Sequence, residues 1–344
     1  MHRIAIVDTY YPEMLSRWQF SPEAGYAAEL QRLLEFSFGT GDFYSRNLRP
    51  FGWECCDIIG NARPLQEMWA KENGCAMQRS VELEQVARFK PDVVFCQNLS
   101  FFSPAELEIL GKKYLLAGQC SCPMPSPNHV KPFKVLFTSF PHYVQKFREL
   151  GVKPVYLPLA FDPITLDRTE ECTRDIDMSF VGGVGSPSHW KAGMDVLEAV
   201  ASEIPTSQFW GYGAEALPKD SAIRAKHNGP AFGNDMYQIL RRSKIVLNRH
   251  GEVAQGWANN MRLFEATGCG ACVLTEDAPN LGHLFTYGEP VRYSSPQDAV
   301  VKIKALLADG SWKERGENGQ AATMDSHTYT ERMSVLSVEL KAML

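Results

Sequence analysis

Between Lys244 and Glu276 the chain reads KIVLNRHGEVAQGWANNMRLFEATGCGACVLTE, a stretch rich in side chains that can hold an anion and a diol. Asn248, Arg249 and His250 follow a short apolar run, and Asn259, Asn260, Arg262 and Glu265 open what the spacing predicts as a helix from about Asn259. Asparagine at a helix start is a good N-cap, and the free amides of a first turn attract anions, to which Arg262 would add a full charge. Glu265 comes three residues after Arg262 and projects from nearly the same side. An anion cradle with a carboxylate one turn deeper suits a ligand carrying both phosphate and a diol, as a nucleotide and its ribose do. The alternative is structural: Arg262 and Glu265 pair along the helix, a common arrangement at this spacing, and the asparagines only cap.

The elements that must position these groups follow from pattern. Ile245 to Asn248 and Ala271 to Thr275 read as buried strands joined by the helix, a βαβ unit with parallel strands. Ligands of such sheets sit outside the carboxyl ends of the strands. Upstream, Ile176 to Val181 is a strand that runs into Gly182-Gly183-Val184-Gly185-Ser186-Pro187, followed by a helix with apolar residues at Trp190, Met194, Leu197, Ala201 and Ile204. Glycines there let a ligand approach the backbone, or simply make a tight strand-to-helix turn. Phe209 to Gly211 and Pro290 to Tyr293 are further strands, and Met236 to Arg242, Gln297 to Leu307 and His327 to Leu344 read as helices.

The first half alternates in the same way, with strands expected at Ile4 to Val7, Cys55 to Ile59, Asp92 to Cys96, Tyr114 to Ala117, Val135 to Thr138 and Pro154 to Leu157. Strand and helix repeated in this order predict a doubly wound α/β domain. Asp8 ends the first strand. The aromatic-rich segment from Thr9 to Phe51 supplies core, or a platform for a second substrate, and lacks the glycine fingerprint of a dinucleotide site. A Pro- and Ser-rich loop, CSCPMPSPNHVKP, carries His129. The charged run from Asp162 to Asp177 is the expected linker between domains. The division is therefore 1–162, 163–326 and a final helix, 327–344.

A chain of 344 residues with 44% hydrophobic content supports two cores. A net charge of -5 argues against a general nucleic-acid binder. No apolar run is long enough to span a membrane and no signal-peptide pattern opens the chain, so a cytoplasmic location is expected. The nine cysteines are scattered, and the two close spacings, Cys120-Ser-Cys122 and Cys269-Gly-Ala-Cys272, read as structural thiols rather than metal ligands.

The segment NMRLFEATGCGACVLTE, with SKIVLN before it and LFTYGEP after it, resembles the carboxyl-half signature of group 1 glycosyltransferases, and within them the CgeB-like branch. The resemblance covers roughly Asp175 to Arg332. It implies a GT-B fold, α/β with two facing Rossmann-like domains, parallel sheets and a last helix that crosses back to the first. It also implies a nucleoside diphosphate sugar as co-substrate, with no separate cofactor and no metal. The glutamate matching Glu265 binds the donor ribose in that family. Gly182, Gly183, Lys191, Asn248, Arg249, Asn259, Asn260 and Arg262 then become donor contacts, the cations standing in for a divalent ion. Many relatives carry a second glutamate eight residues earlier, where this chain has Trp257. The acceptor is a glycan, a protein or a small molecule. Asp8, His129 and His250, and also His142, are candidates for a general base, which retaining chemistry would not require. Two other readings stay open on the same fold: an epimerase of the UDP-GlcNAc 2-epimerase type, and a catalytically inactive nucleotide-sugar-binding subunit.

Overall fold

Runs of aliphatic and β-branched residues buried end to end make the strands. The computed structural model, which describes residues 1–75, 81–184, 193–286 and 290–344, places them in two parallel sheets within two compact units. The first unit is Met1–Pro158 with Tyr329–Leu344, and the second is Leu159–Thr328. Strand ends differ from the sequence expectation by at most two residues.

In the first unit β1 (His2–Asp8), β2 (Trp53–Ile59), β3 (Val93–Cys96), β4 (Leu115–Gln119), β5 (Val135–Thr138) and β6 (Lys153–Tyr156) lie in the order β2-β1-β3-β4-β5-β6. β3 and β5 are buried at every position, as strands covered on both faces must be. Edge strand β6 has exposed ends and carries Pro154, whose missing N–H an edge tolerates. The last helix, Tyr329–Lys341, belongs to this unit and buries Met333, Leu336 and Leu340. Trp53 Nε1 donates to Ser337 Oγ at 2.9 Å, and Lys153 pairs with Glu339 at 2.7 Å.

The second unit holds β7 (Ile176–Val181), β8 (Ser207–Trp210), β9 (Ser243–Asn248), β10 (Cys272–Glu276) and β11 (Val291–Tyr293), ordered β11-β10-β9-β7-β8. The two-residue alternation of a strand divides its core. Ile245 and Leu247 of β9 pack in the layer under the helices Met194–Glu203 and Pro296–Asp309, while Val246 packs in the layer under Gly233–Arg242 and Met261–Gly268. The same division separates two cysteines: Cys269 joins one layer and Cys272 the other, so the pair cannot grip one ion. Burial pushes both thiols up to about 12.

Two further features shape the second unit. In the charged segment 162–177, Arg174 donates to the carbonyls of Arg241, Ser243 and Cys269 at 3.0, 2.6 and 2.8 Å. It thereby satisfies carbonyls left open where two helices of the second unit end. The other feature is a helix at Trp312–Ser326, which has little apolar periodicity and packs through small residues instead. A Cβ on Gly316 would lie 2.4 Å from the carbonyl oxygen of Gly270, so only glycine allows that contact. Thr323 and Thr267 complete the seam with a hydroxyl bond of 2.6 Å.

Candidate functional site

In the second sheet the chain leaves β7 for β8 on one side and returns to β9 on the other. The helix after β7, Met194–Glu203, covers one face of the sheet, and the helix after β9, Met261–Gly268, covers the opposite one. Connections that part in this way open a crevice outside the strand ends, where α/β proteins bind ligands. Here the crevice runs between Val181-Gly182-Gly183 and Asn248-Arg249-His250. Arg249 spans it, its Nη2 donating to the Gly183 carbonyl at 2.6 Å. Arg249 is 3% exposed, and its guanidinium carbon lies 5.5 Å from the centre of the Phe180 ring. Burial pulls its pKa down while Glu276 pushes it back up. Gly211 faces Gly182 so closely that a Cβ would fall 1.7 Å from the Gly182 carbonyl oxygen, and its φ of +134° also demands glycine.

A polar lattice fixes the β9 end. Asn248 Nδ2 donates to Thr275 Oγ1 at 2.9 Å, and Tyr293 donates its hydroxyl to the Asn248 carbonyl at 3.1 Å. Asn260 stands at the N-cap position, but its side chain does not cap: its Nδ2 donates to Asn248 Oδ1 at 2.6 Å and to the Arg249 carbonyl at 3.0 Å. The expected capping is thus corrected, since the loop end of β9 competes for the same amide. The Asn260 side chain therefore makes no cap hydrogen bond to the first-turn amides of this helix. Asn259 is 8% exposed, and its Nδ2 is buried with no hydrogen-bond partner among the described residues.

Arg262 and Glu265 do form the ion pair that the sequence allowed, at 2.6 Å. It is not a surface pair: the side chains are 17% and 6% exposed. Arg262 Nε also donates to the Val181 carbonyl at 3.2 Å, so both guanidiniums are anchored on the end of the β7 chain. Tyr237 donates to Glu265 Oε1 at 3.3 Å. A carboxylate has about four lone-pair positions, and these donors occupy two of them.

His250 is 7% exposed, and its main-chain N–H donates to Glu276 Oε2 at 2.8 Å. Its Nδ1 faces the Asn259 N–H at 3.4 Å and its Nε2 meets Thr275 Oγ1 at 3.1 Å. Burial lowers its pKa to about 4. A neutral ring with both nitrogens engaged positions the loop, and a base would need one nitrogen open to substrate. His129 bonds locally, its Nδ1 3.0 Å from Ser126 Oγ, and His142 packs between Phe140 and Tyr143. Lys191 lies outside the described residues, as do Gly185 to Pro187.

Glu276, Tyr237, Thr275 and Tyr293 were not among the residues expected from the sequence. Glu276 had a signal, since it ends a buried strand of this sheet just as Asp8 ends β1. Tyr237 had none, because its hydroxyl reaches Glu265 only through the packing of two helices. Glu276 also lines a cavity of about 470 Å³ with Gly193, Asp195, Val196, Tyr293 and Ser295. Burial raises its carboxyl, and the His250 N–H and Arg249 oppose that.

The residues 194–337 match the family model described as glycosyl transferase-like. No curated protein matches the chain. Among solved structures, sucrose-phosphate synthase from Thermosynechococcus elongatus aligns over 100% of both chains at 13% identity, with a TM-score of 0.63. Anabaena HepE in complex with UDP-glucose does so over 100% of both chains at 12% identity and a TM-score of 0.60. AviGT4, a glycosyltransferase of avilamycin A biosynthesis, aligns over 98% of this chain and 99% of its own at 16% identity and a TM-score of 0.54. The fold is GT-B. Its two parallel Rossmann-like sheets, of six and five strands, are those of these structures, and the glycosyltransferase-like segment covers most of the second unit and the start of the last helix.

In the first GT-B unit, Asp8 sits at the carboxyl end of β1 with Oδ1 accepting from the Thr9 N–H at 2.7 Å. Burial, with Asp57 adding repulsion, raises Asp8 from 3.8 to about 7, and burial raises Asp57 from 3.8 to about 6. The folded state therefore binds more protons than the unfolded chain between about pH 4 and 7, and stability falls as pH rises through that window. Asp8→Asn should be more stable than the wild type at pH 8, on the order of 2 kcal/mol, with the gain vanishing near pH 4. Urea unfolding at the two pH values checks the sign.

Proposed function

We propose that this chain is a glycosyltransferase that moves a hexosyl or N-acetylhexosaminyl group from a nucleoside diphosphate sugar to an acceptor, with the donor held at the switch point of the second unit. The observation that carries this reading is the pair of guanidiniums anchored on the end of β7, Arg249 on Gly183 and Arg262 on Val181, with the Glu265 carboxylate behind them. Two cations and an uncapped helix start suit a diphosphate, and a buried carboxylate with lone pairs to spare suits a ribose. The carboxyl-half signature is nearest the CgeB-like branch.

Charge develops on the departing diphosphate as the glycosidic bond breaks, and fixed cations and amides that meet it there lower the barrier. Arg249, Arg262 and the amides after Asn260 take that role, with Gly182 and Gly183 giving the phosphates close access and Lys191 adding a contact. Asn248 and Asn259 shape the loop around the donor. Transfer proceeds with retention and without a divalent ion, so turnover should survive EDTA. Asp8 is the first unit's candidate for proton transfer from the acceptor.

A thermal-shift panel of UDP, GDP and dTDP and their sugars tests the reading. One nucleotide series should raise the melting temperature, and its sugar should be slowly hydrolysed without acceptor. UDP is the first choice because HepE, of the same fold, is solved with UDP-glucose. A panel with no shift would reject the donor site.

A further inference from the structure

We infer that Cys120 and Cys122 form a thiol modification site, at which the exposed Cys122 reacts with a low-molecular-weight disulfide and the buried Cys120 closes the bond within the chain. The site lies where β4 ends in the first unit and does not depend on the transfer reading.

The two cysteines differ in surroundings. Cys120 is fully buried, as a structural thiol is, whereas Cys122 is exposed and can meet a reagent. The backbone that carries them is fixed by β5 and by the helix after it, Pro141–Glu149. Cys120 donates its N–H to the Phe137 carbonyl at 2.9 Å, and its own carbonyl accepts from Thr138 Oγ1 at 2.8 Å. Tyr143 donates its hydroxyl to the Cys122 carbonyl at 3.2 Å and accepts the Met124 N–H at 3.1 Å. Ser121, between the two, accepts from Gln119 Nε2 at 3.0 Å and from Ser139 Oγ at 2.8 Å.

On this fixed backbone Cys120 Sγ turns toward its neighbour, 3.7 Å from the Cys122 carbonyl oxygen, and the two thiols share a hydrogen bond. That bond, with burial behind it, holds the proton on Cys120 and raises its pKa. The same bond draws Cys122 below 9.0, against burial. An accessible thiol with a favoured thiolate, next to a second cysteine, is the arrangement that oxidises reversibly. Cys55 and Cys56 lack it: they are neighbours in β2, so their side chains point to opposite faces, and burial pushes both up to about 12.

The exchange takes two steps. The Cys122 thiolate attacks one sulfur of the small disulfide, which forms a mixed disulfide and releases one small thiolate. With its sulfur capped, Cys122 no longer holds the Cys120 proton. Cys120 gives that proton to solvent, attacks the Cys122 sulfur and expels the second small thiolate, closing the Cys120–Cys122 bond. The chain loses two electrons and two protons, and the small disulfide takes up both to become two thiols.

Glutathione disulfide, added to the full chain near neutral pH, is the probe. Remaining thiols are then blocked with N-ethylmaleimide, and the peptide carrying both cysteines is analysed by mass spectrometry. The wild type should give the internal disulfide as its main product. Cys120→Ala and Cys120→Ser should lose it and stop at the mixed disulfide on Cys122. Alkylation of Cys122 by iodoacetamide should have a pH midpoint that rises in Cys120→Ala and stays low in Cys120→Ser, which keeps a donor. A wild type in which Cys122 retains glutathione, bonds to a second chain or does not react overturns the inference. So does a midpoint that Cys120→Ala leaves unchanged. The wild-type product needs no variant, so it decides the matter whether or not the substituted chains fold.

Discussion

Glu265→Ala should unfold more easily than the wild type by about 3 to 5 kcal/mol, whereas the double variant Arg262→Met, Glu265→Leu should lose far less. Glu265 is 4% exposed and shares a 2.6 Å ion pair with Arg262, so removing the carboxylate alone strands a guanidinium in the protein interior. Replacing both partners with apolar side chains of similar volume removes the desolvation cost along with the attraction. Urea unfolding of the wild type, the two single variants and the double variant measures the coupling. If the single losses simply add, the two side chains do not act as a pair, and the geometry that aims Arg262 at the Val181 carbonyl loses its support.

Arg249→Lys should lower turnover of the donor about a hundredfold or more while the protein stays folded. The substitution keeps the positive charge but not the planar fork. In the wild type one arm of that fork is committed to the Gly183 carbonyl, and a rigid guanidinium can hold a carbonyl and a phosphate oxygen at once from a fixed position. A lysine ammonium must choose between the carbonyl and the phosphate. Steady-state kinetics with the donor that gives the largest thermal shift checks this, and near-normal turnover would remove Arg249 from the list of groups that stabilise the leaving diphosphate.

Much of this architecture was legible because parallel strands announce themselves. β5 and β7 have the limits read from their apolar runs, and the carboxyl ends of β1 and β9 could be named because Asp8 and Asn248 interrupt those runs. Long-range matters were not legible. Asn260 has the right identity and place for a cap, yet Asn248 and the Arg249 carbonyl, brought near by the sheet, win its amide. The helix at Trp312–Ser326 escaped notice because Gly316, Gly319 and Thr323 form its buried face, and small residues leave no apolar period. For Arg262 and Glu265 the spacing raised both the ion pair and the ribose contact. The ion pair is present, and its burial is what keeps the carboxylate available as more than a surface charge.

The central claim is that Glu265 grips a ribose beside a diphosphate. Calorimetric titration of the nucleoside diphosphate selected by the thermal-shift panel, and of its 2′,3′-dideoxy analogue, into wild type and Glu265→Gln tests it most directly. The account predicts that the wild type prefers the ribonucleotide about tenfold and that Glu265→Gln loses most of this preference, the scale of one charge-assisted hydrogen bond. Equal discrimination by the two proteins would contradict it.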